Sequence, residues 1–164
     1  MAAGVTYTPI ASNTVSGSTT STVALSSISN SYTDLIVVTN LASTATFTLY
    51  CYFNADTSNN YSGTYIYGNG TSAISGRQSS APRLQIDIGG IGTAFSNSHI
   101  LQVFNYANTT TYKSSLVRSN EPNYVGSWCG LWRSTSAINS LTFFTSANYF
   151  AAGSTFALYG VTAA

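Results

Sequence analysis

The sequence predicts an all-β chain, an antiparallel β-sandwich of jelly-roll type with roughly eight to ten strands. Three observations carry this. Apolar and polar residues alternate in short runs, as strands with one buried face require. Clusters of Gly, Ser and Asn interrupt those runs at roughly the 8–12-residue spacing of sandwiches. No stretch sustains a 3.6-residue period with good helix formers. No composition break marks a second domain, so residues 1–164 read as one sandwich domain, with the loop-like residues 1–21 as a candidate N-terminal arm.

Taken in order, Val23 and Leu25 alternate with small polar neighbours. The Asp34–Leu41 stretch contains the unbroken run Leu35-Ile36-Val37-Val38, which predicts a strand covered on both sides. The clearest alternation is at residues 46–53. Phe47, Leu49, Cys51 and Phe53 form a core face, while Thr46, Thr48, Tyr50 and Tyr52 form an amphipathic face suited to water or to a partner, and are the candidate contact face. In residues 83–88, Leu84, Ile86 and Ile88 are expected inside. Arg83, Gln85 and Asp87 share the opposite face, where Arg83 and Asp87 read as an ion pair or as two solvated charges. Segments 99–106, 112–118, 124–132, 138–145 and 155–161 continue the series, with at most one helical turn at 134–137. Gly126 and Gly130 flank Trp128 on its own strand face, leaving room for its ring or for a neighbouring backbone.

Charge narrows the functions open to the chain. Only 5% of residues are Asp, Glu, Lys or Arg, where an ordinary domain carries about a quarter, yet 44% hydrophobic content supplies enough apolar surface to fold. Arg77, Arg83, Lys113, Arg118 and Arg133 are few and scattered, so a duplex nucleic-acid partner is not expected. The longest strongly apolar run is far short of the ~20 residues that span a bilayer, and the N-terminus shows no Sec-type leader, so no membrane partner and no export by that route are expected. Cys51 and Cys129 read as buried free thiols.

The groups that could carry chemistry are few. The carboxylates are Asp34, Asp56, Asp87 and Glu121, and His99 is the only imidazole. His99 falls on the face of Leu101 and Val103 and reads as a packed structural histidine; no G-x-S-x-G elbow occurs. Nothing in the sequence pairs two carboxylates for glycoside hydrolysis. The 54–60 segment offers oxygens to Ca²⁺ but lacks the Gly and Glu of an EF-hand, and reads as a turn held by Asx-type hydrogen bonds. Two cysteines and one histidine cannot assemble a standard zinc site, and the 89–92 glycine cluster does not open a helix that could cradle phosphate. Sequons begin at Asn60, Asn69 and Asn108, as so much Ser and Thr makes expected. Tyr61, Tyr65, Tyr67, Tyr112, Tyr124, Trp128 and Trp132 read as packing residues, with sugar stacking as the alternative. The expectation is a non-enzymatic chain with no catalytic, cofactor or metal residues.

Five blocks belong together: SYTDL (31–35), NADTSNNYSGTYIYG (54–68), NYANTTTYKSSLVRSN (105–120), GLWRSTSAI (130–138) and GSTFALYGV (153–161). As a set they resemble a family of small virion structural proteins and fibre domains of tailed bacteriophages, notably marine and freshwater ones, from about Tyr7 to the C-terminus. The resemblance implies a β-rich, oligomeric accessory part of a phage particle, made in the host cytoplasm, and brings no catalytic residues. The sequence shows no adaptor, coiled-coil heptads or collagen-like repeat with which a fibre extends itself. The expected role is therefore a capsid decoration or cement protein at the virion surface, a homotrimer bound to the major capsid protein. The alternative is a tail or fibre module that binds host-surface glycan; a polysaccharide-degrading enzyme is the remote third.

Overall fold

The computed structural model describes residues 6–17, 20–43, 45–93 and 97–162. These form β1 (Tyr7–Thr14), β2 (Thr22–Leu25), β3 (Asp34–Leu41), β4 (Leu49–Phe53), β5 (Tyr61–Gly68), β6 (Ala73–Ala81), β7 (Leu84–Gln85), β8 (Asn97–Val103), β9 (Lys113–Glu121), β10 (Tyr124–Trp132), β11 (Leu141–Thr145) and β12 (Thr155–Val161). An eight-stranded sheet runs β1-β12-β3-β8-β9-β10-β5-β6, and a four-stranded sheet runs β2-β11-β4-β7. Every pairing is antiparallel, and the described residues contain no helix.

The all-β sandwich is as the alternation predicts. The inner faces of both sheets contribute to one buried cluster, with Leu35, Val37, Leu101, Val103, Val117, Phe156 and Leu158 from the large sheet meeting Val23, Leu25, Leu49, Cys51, Phe53, Leu141 and Phe143 from the small one. Aromatic rings join the layers: Phe143 meets Phe156 at 5.3 Å between centroids, and Phe53 meets Trp132 at 5.8 Å.

Several local expectations change. Residues 7–14, part of the expected arm, form β1, an edge strand on β12 whose register shifts between Pro9 and Ala11. Proline lacks the ladder donor, which suits an edge and conceals the strand in the sequence. Residues 1–5, 18 and 19 of that arm lie outside the described residues. β5 and β6 also exceed the expected strands. The sequence of β6, AISGRQSSA, carries almost no strand signal, and its pairing with β5 supplies its conformation. In β3 the inner face is buried, but the outer face is flanked only by neighbours in its own sheet: Ile36 is buried between Tyr159 and Gln102, while Val38 is half-exposed and Asn40 exposed. Residues 134–137 make no helical turn; the Ser136 amide donates to Ser134 Oγ at 3.2 Å. Around Trp128, the space above Gly130 holds Leu84 and that above Gly126 holds Ile88, and the indole itself lies over Gly63.

Candidate functional site

The outward face of the small sheet is built on the alternation of β4. Tyr50 and Tyr52 point outward on the strand and are half-buried, while Thr46 and Thr48 precede it, exposed and half-buried respectively. Antiparallel register sets Phe144 of β11 opposite Tyr50 and Thr142 opposite Tyr52, with Thr22 of β2 beyond Phe144 and Gln85 of β7 beyond Tyr50. The rings make a ladder: Tyr52 stacks on Phe144 at 4.3 Å and 14°, and Tyr50 lies 5.5 Å from Phe144 at a tilt of 33°. The Arg83 guanidinium sits 4.2 Å from the Tyr50 ring centroid, a cation–π contact. Phe144, Thr142, Thr22 and Arg83 complete a face of which β4 alone shows half. Phe144 was concealed because it follows the core residue Phe143, and adjacent phenylalanines do not reveal which one faces in.

Asp87 is the largest departure from the sequence reading. Instead of sharing the outer face with Arg83, it is 0% exposed. β7 ends at Gln85, the chain leaves its two-residue period, and Asp87 Oδ1 accepts the Leu49 amide at 2.8 Å where the short β7 can no longer do so. Glu121, 5% exposed, comes from the end of β9 to meet the same segment: its Oε1 accepts the Ile88 amide at 3.4 Å and the Ser119 hydroxyl at 3.0 Å. His99 of β8, 1% exposed, places Nε2 3.7 Å from Glu121 Oε1, and its Nδ1 bonds Thr39 Oγ1 at 3.2 Å. No sequence spacing pairs two carboxylates, yet the fold joins two of the four, with the only histidine, between the sheets. Burial first, and then the neighbouring Glu121 charge, push the Asp87 carboxyl up to about 8, so Asp87 retains its proton at neutral pH. Among the described residues no group of three His, Cys, Asp or Glu side chains is placed to hold a metal ion.

The 54–60 segment is a closed polar turn. Asp56 Oδ1 accepts the Ser58 amide at 2.8 Å, while Oδ2 accepts Asn60 Nδ2 at 2.9 Å and the Trp132 indole N–H at 2.7 Å. Partial burial alone would raise the Asp56 carboxyl; the bonds from Asn60, Trp132 and Ser58 overcome it and hold the group at about 2. Asp56→Ala is expected to cost about 2 kcal/mol in urea denaturation, since it strands the Trp132 donor. The wild-type contribution is present above the ordinary carboxylate value of about 4 and lost as pH falls through about 2. Asn69 and Asn108 serve similar turns, each accepting two backbone amides through Oδ1.

The two cysteines differ. Cys51 is buried, and desolvation pushes its thiol up; Cys129 is free and exposed on β10, contrary to the expected burial. They point from different sheets, inward and outward, so they do not pair. Lys113 is also buried: Nζ donates to the carbonyls of Thr111 at 2.9 Å and Thr135 at 3.2 Å, and burial lowers its pKa. Of the aromatics, Tyr61, Trp128 and Trp132 are buried and Tyr65 stacks on Trp128 at 4.8 Å, while Tyr112 is exposed. Compared with known families and curated proteins, the sequence matches no family model and no curated protein.

Proposed function

We propose that this chain is a structural protein of a tailed-bacteriophage virion: a decoration or cement protein, homotrimeric, that stabilises the head by binding the major capsid protein at the capsid surface. The observation that carries this is the ring ladder of Tyr50, Phe144 and Tyr52 with Arg83 above it, set among Thr22 and Thr142 on an open sheet face. Tyr and Arg are the side chains on which interface energy concentrates, and rings already stacked lose little freedom on docking. Strands β1-β12-β3-β8 opposite β2-β11-β4-β7 follow the alternation of two interleaved Greek keys, which supports a jelly roll, an architecture shared by capsid and lectin domains. The five sequence blocks that resemble phage virion proteins support the same reading. A cement protein acts by mass action, favouring the assembled lattice to which it binds better than to free subunits.

Quantifying the chain in purified particles tests this. Copies in the hundreds, spread over the head, are expected; a few copies at the tail tip would overturn cementing and favour the tail module, in which the half-exposed ladder would stack on sugar rings. On heads depleted of the chain, Tyr50→Ser/Tyr52→Ser should bind roughly 10–100-fold more weakly than wild type. Its melting temperature should move by only a few degrees, because these rings face outward.

A further inference from the structure

Each of the four carboxylate side chains is buried or hydrogen-bonded within the fold. Asp87 and Glu121 are buried. Asp56 is held by Ser58, Asn60 and Trp132. Asp34 accepts Gln102 Nε2 at 3.2 Å and the Asn105 amide at 2.8 Å. On the other side of the ledger Lys113 is buried, Arg133 donates to the Asn59 carbonyl at 2.7 Å, and Arg83 covers Tyr50. Arg77 and Arg118 remain, both exposed and neither ion-paired among the described residues. These two guanidinium groups are exposed charges with no carboxylate beside them among the described residues.

Both arginines stand on the outward face of the eight-stranded sheet. Register lines up Val38, Ile100, Arg118, Ser127, Ile66 and Ser75 across six strands. The adjacent row is Ile36, Gln102, Leu116, Cys129, Thr64 and Arg77. Three strand spacings separate β9 from β6, so the guanidinium groups originate about 14 Å apart across the sheet. Solvated outer faces of sandwiches alternate polar residues with the core, whereas this one carries Ile66 at 63% and Val125 at 65% exposure. Two shallow depressions of ≈ 510 and ≈ 400 Å³ lie beside Ile66 and beside Arg77. Eight strands at ~4.8 Å and about six residues of each give a face of roughly 700 Å², close to the ~800 Å² per partner of a stable interface.

We infer that this face is a second docking surface, and that its partner is a protein surface carrying carboxylates opposite Arg77 and Arg118. A second copy of the chain does not complement it: the face contributes one carboxylate of its own, Asp34, which is already committed. Two separated arginines are too few for a polyanionic nucleic acid, where affinity grows with the number of phosphates neutralised. Identifying the partner as the major capsid protein rests on the proposed function.

The test uses the full chain and heads depleted of it, with wild type compared against Arg77→Glu/Arg118→Glu and Arg77→Lys/Arg118→Lys. The reversed pair is expected to bind roughly 100-fold more weakly, because like charges would meet across the interface, while the lysine pair stays within about tenfold of wild type. Undiminished binding by the reversed pair overturns the inference and leaves the cement reading standing. Absence of wild-type binding overturns the cement reading and this partner with it. Sedimentation velocity on the same proteins supplies the other outcome: if charge reversal changes the oligomeric state of the free protein, the face joins copies of this chain and the inference is overturned. Unchanged melting temperatures confirm that the variants are folded.

Discussion

Phe156→Ala should destabilise the protein by about 3–5 kcal/mol in urea denaturation, the range of buried phenylalanine truncations. The ring is fully buried on β12 and lies between the layers, 5.3 Å from Phe143 of the small sheet and 5.2 Å from Phe150, which in turn meets Phe47 at 5.4 Å. Its removal leaves a cavity that rings on both sides define, and each loses its packed neighbour. For a chain of this size the melting temperature should drop by about 10 °C or more. Tyr159→Ala on the outward face of the same strand provides the comparison, with an expected cost of less than about 1 kcal/mol. Equal losses from the two substitutions would show that the sheets do not share the core described above.

The second large effect is on pH dependence. Asp87 is raised from 3.8 to about 8 by burial and by Glu121, so the folded protein holds a proton that the unfolded chain has released. Stability tied to that proton is complete below about pH 4 and is lost as pH rises through about 8. Wild type should therefore lose a few kcal/mol of unfolding free energy between about pH 5 and about pH 9. Asp87→Asn keeps an oxygen for the Leu49 amide and cannot ionise, so its stability should be nearly flat over that interval and exceed wild type at the alkaline end. Parallel pH profiles for the two proteins would mean that Asp87 is already ionised in the fold. Asp56 acts in the opposite direction at the acid end, and together the two carboxylates place the stability maximum in mildly acidic solution.

The sandwich was legible in the sequence because its signal is local. A two-residue alternation such as that of 46–53 assigns each side chain to a face without knowledge of the neighbouring strand, and Phe47, Leu49, Cys51 and Phe53 are all buried as it requires. The same locality limits the reading. β1 is concealed by Pro9, and β6 by a run of small polar residues, since an edge strand borrows its conformation from the strand it joins. Thr46, Thr48, Tyr50 and Tyr52 could be assigned to an outer face, but Phe144 and Arg83 reach that face only through the register of β11 and the path into β7.

The charge shortage was plain from the composition, and so was the absence of any local motif that combines acid and base. Strand pairing placed the few charges. Asp87 and Glu121 are 34 positions apart in sequence, and no periodicity relates them. They meet because β7 stops after two residues and the chain turns inward just where β9 ends. That pair is buried, while Arg77 and Arg118 stay exposed on the outward face of the large sheet with no ion pair among the described residues. The local alternation is enough to specify layered β-sheets with little charge; the pairing of strands sets where each charge lies, because burial is a property of position in the fold and not of composition.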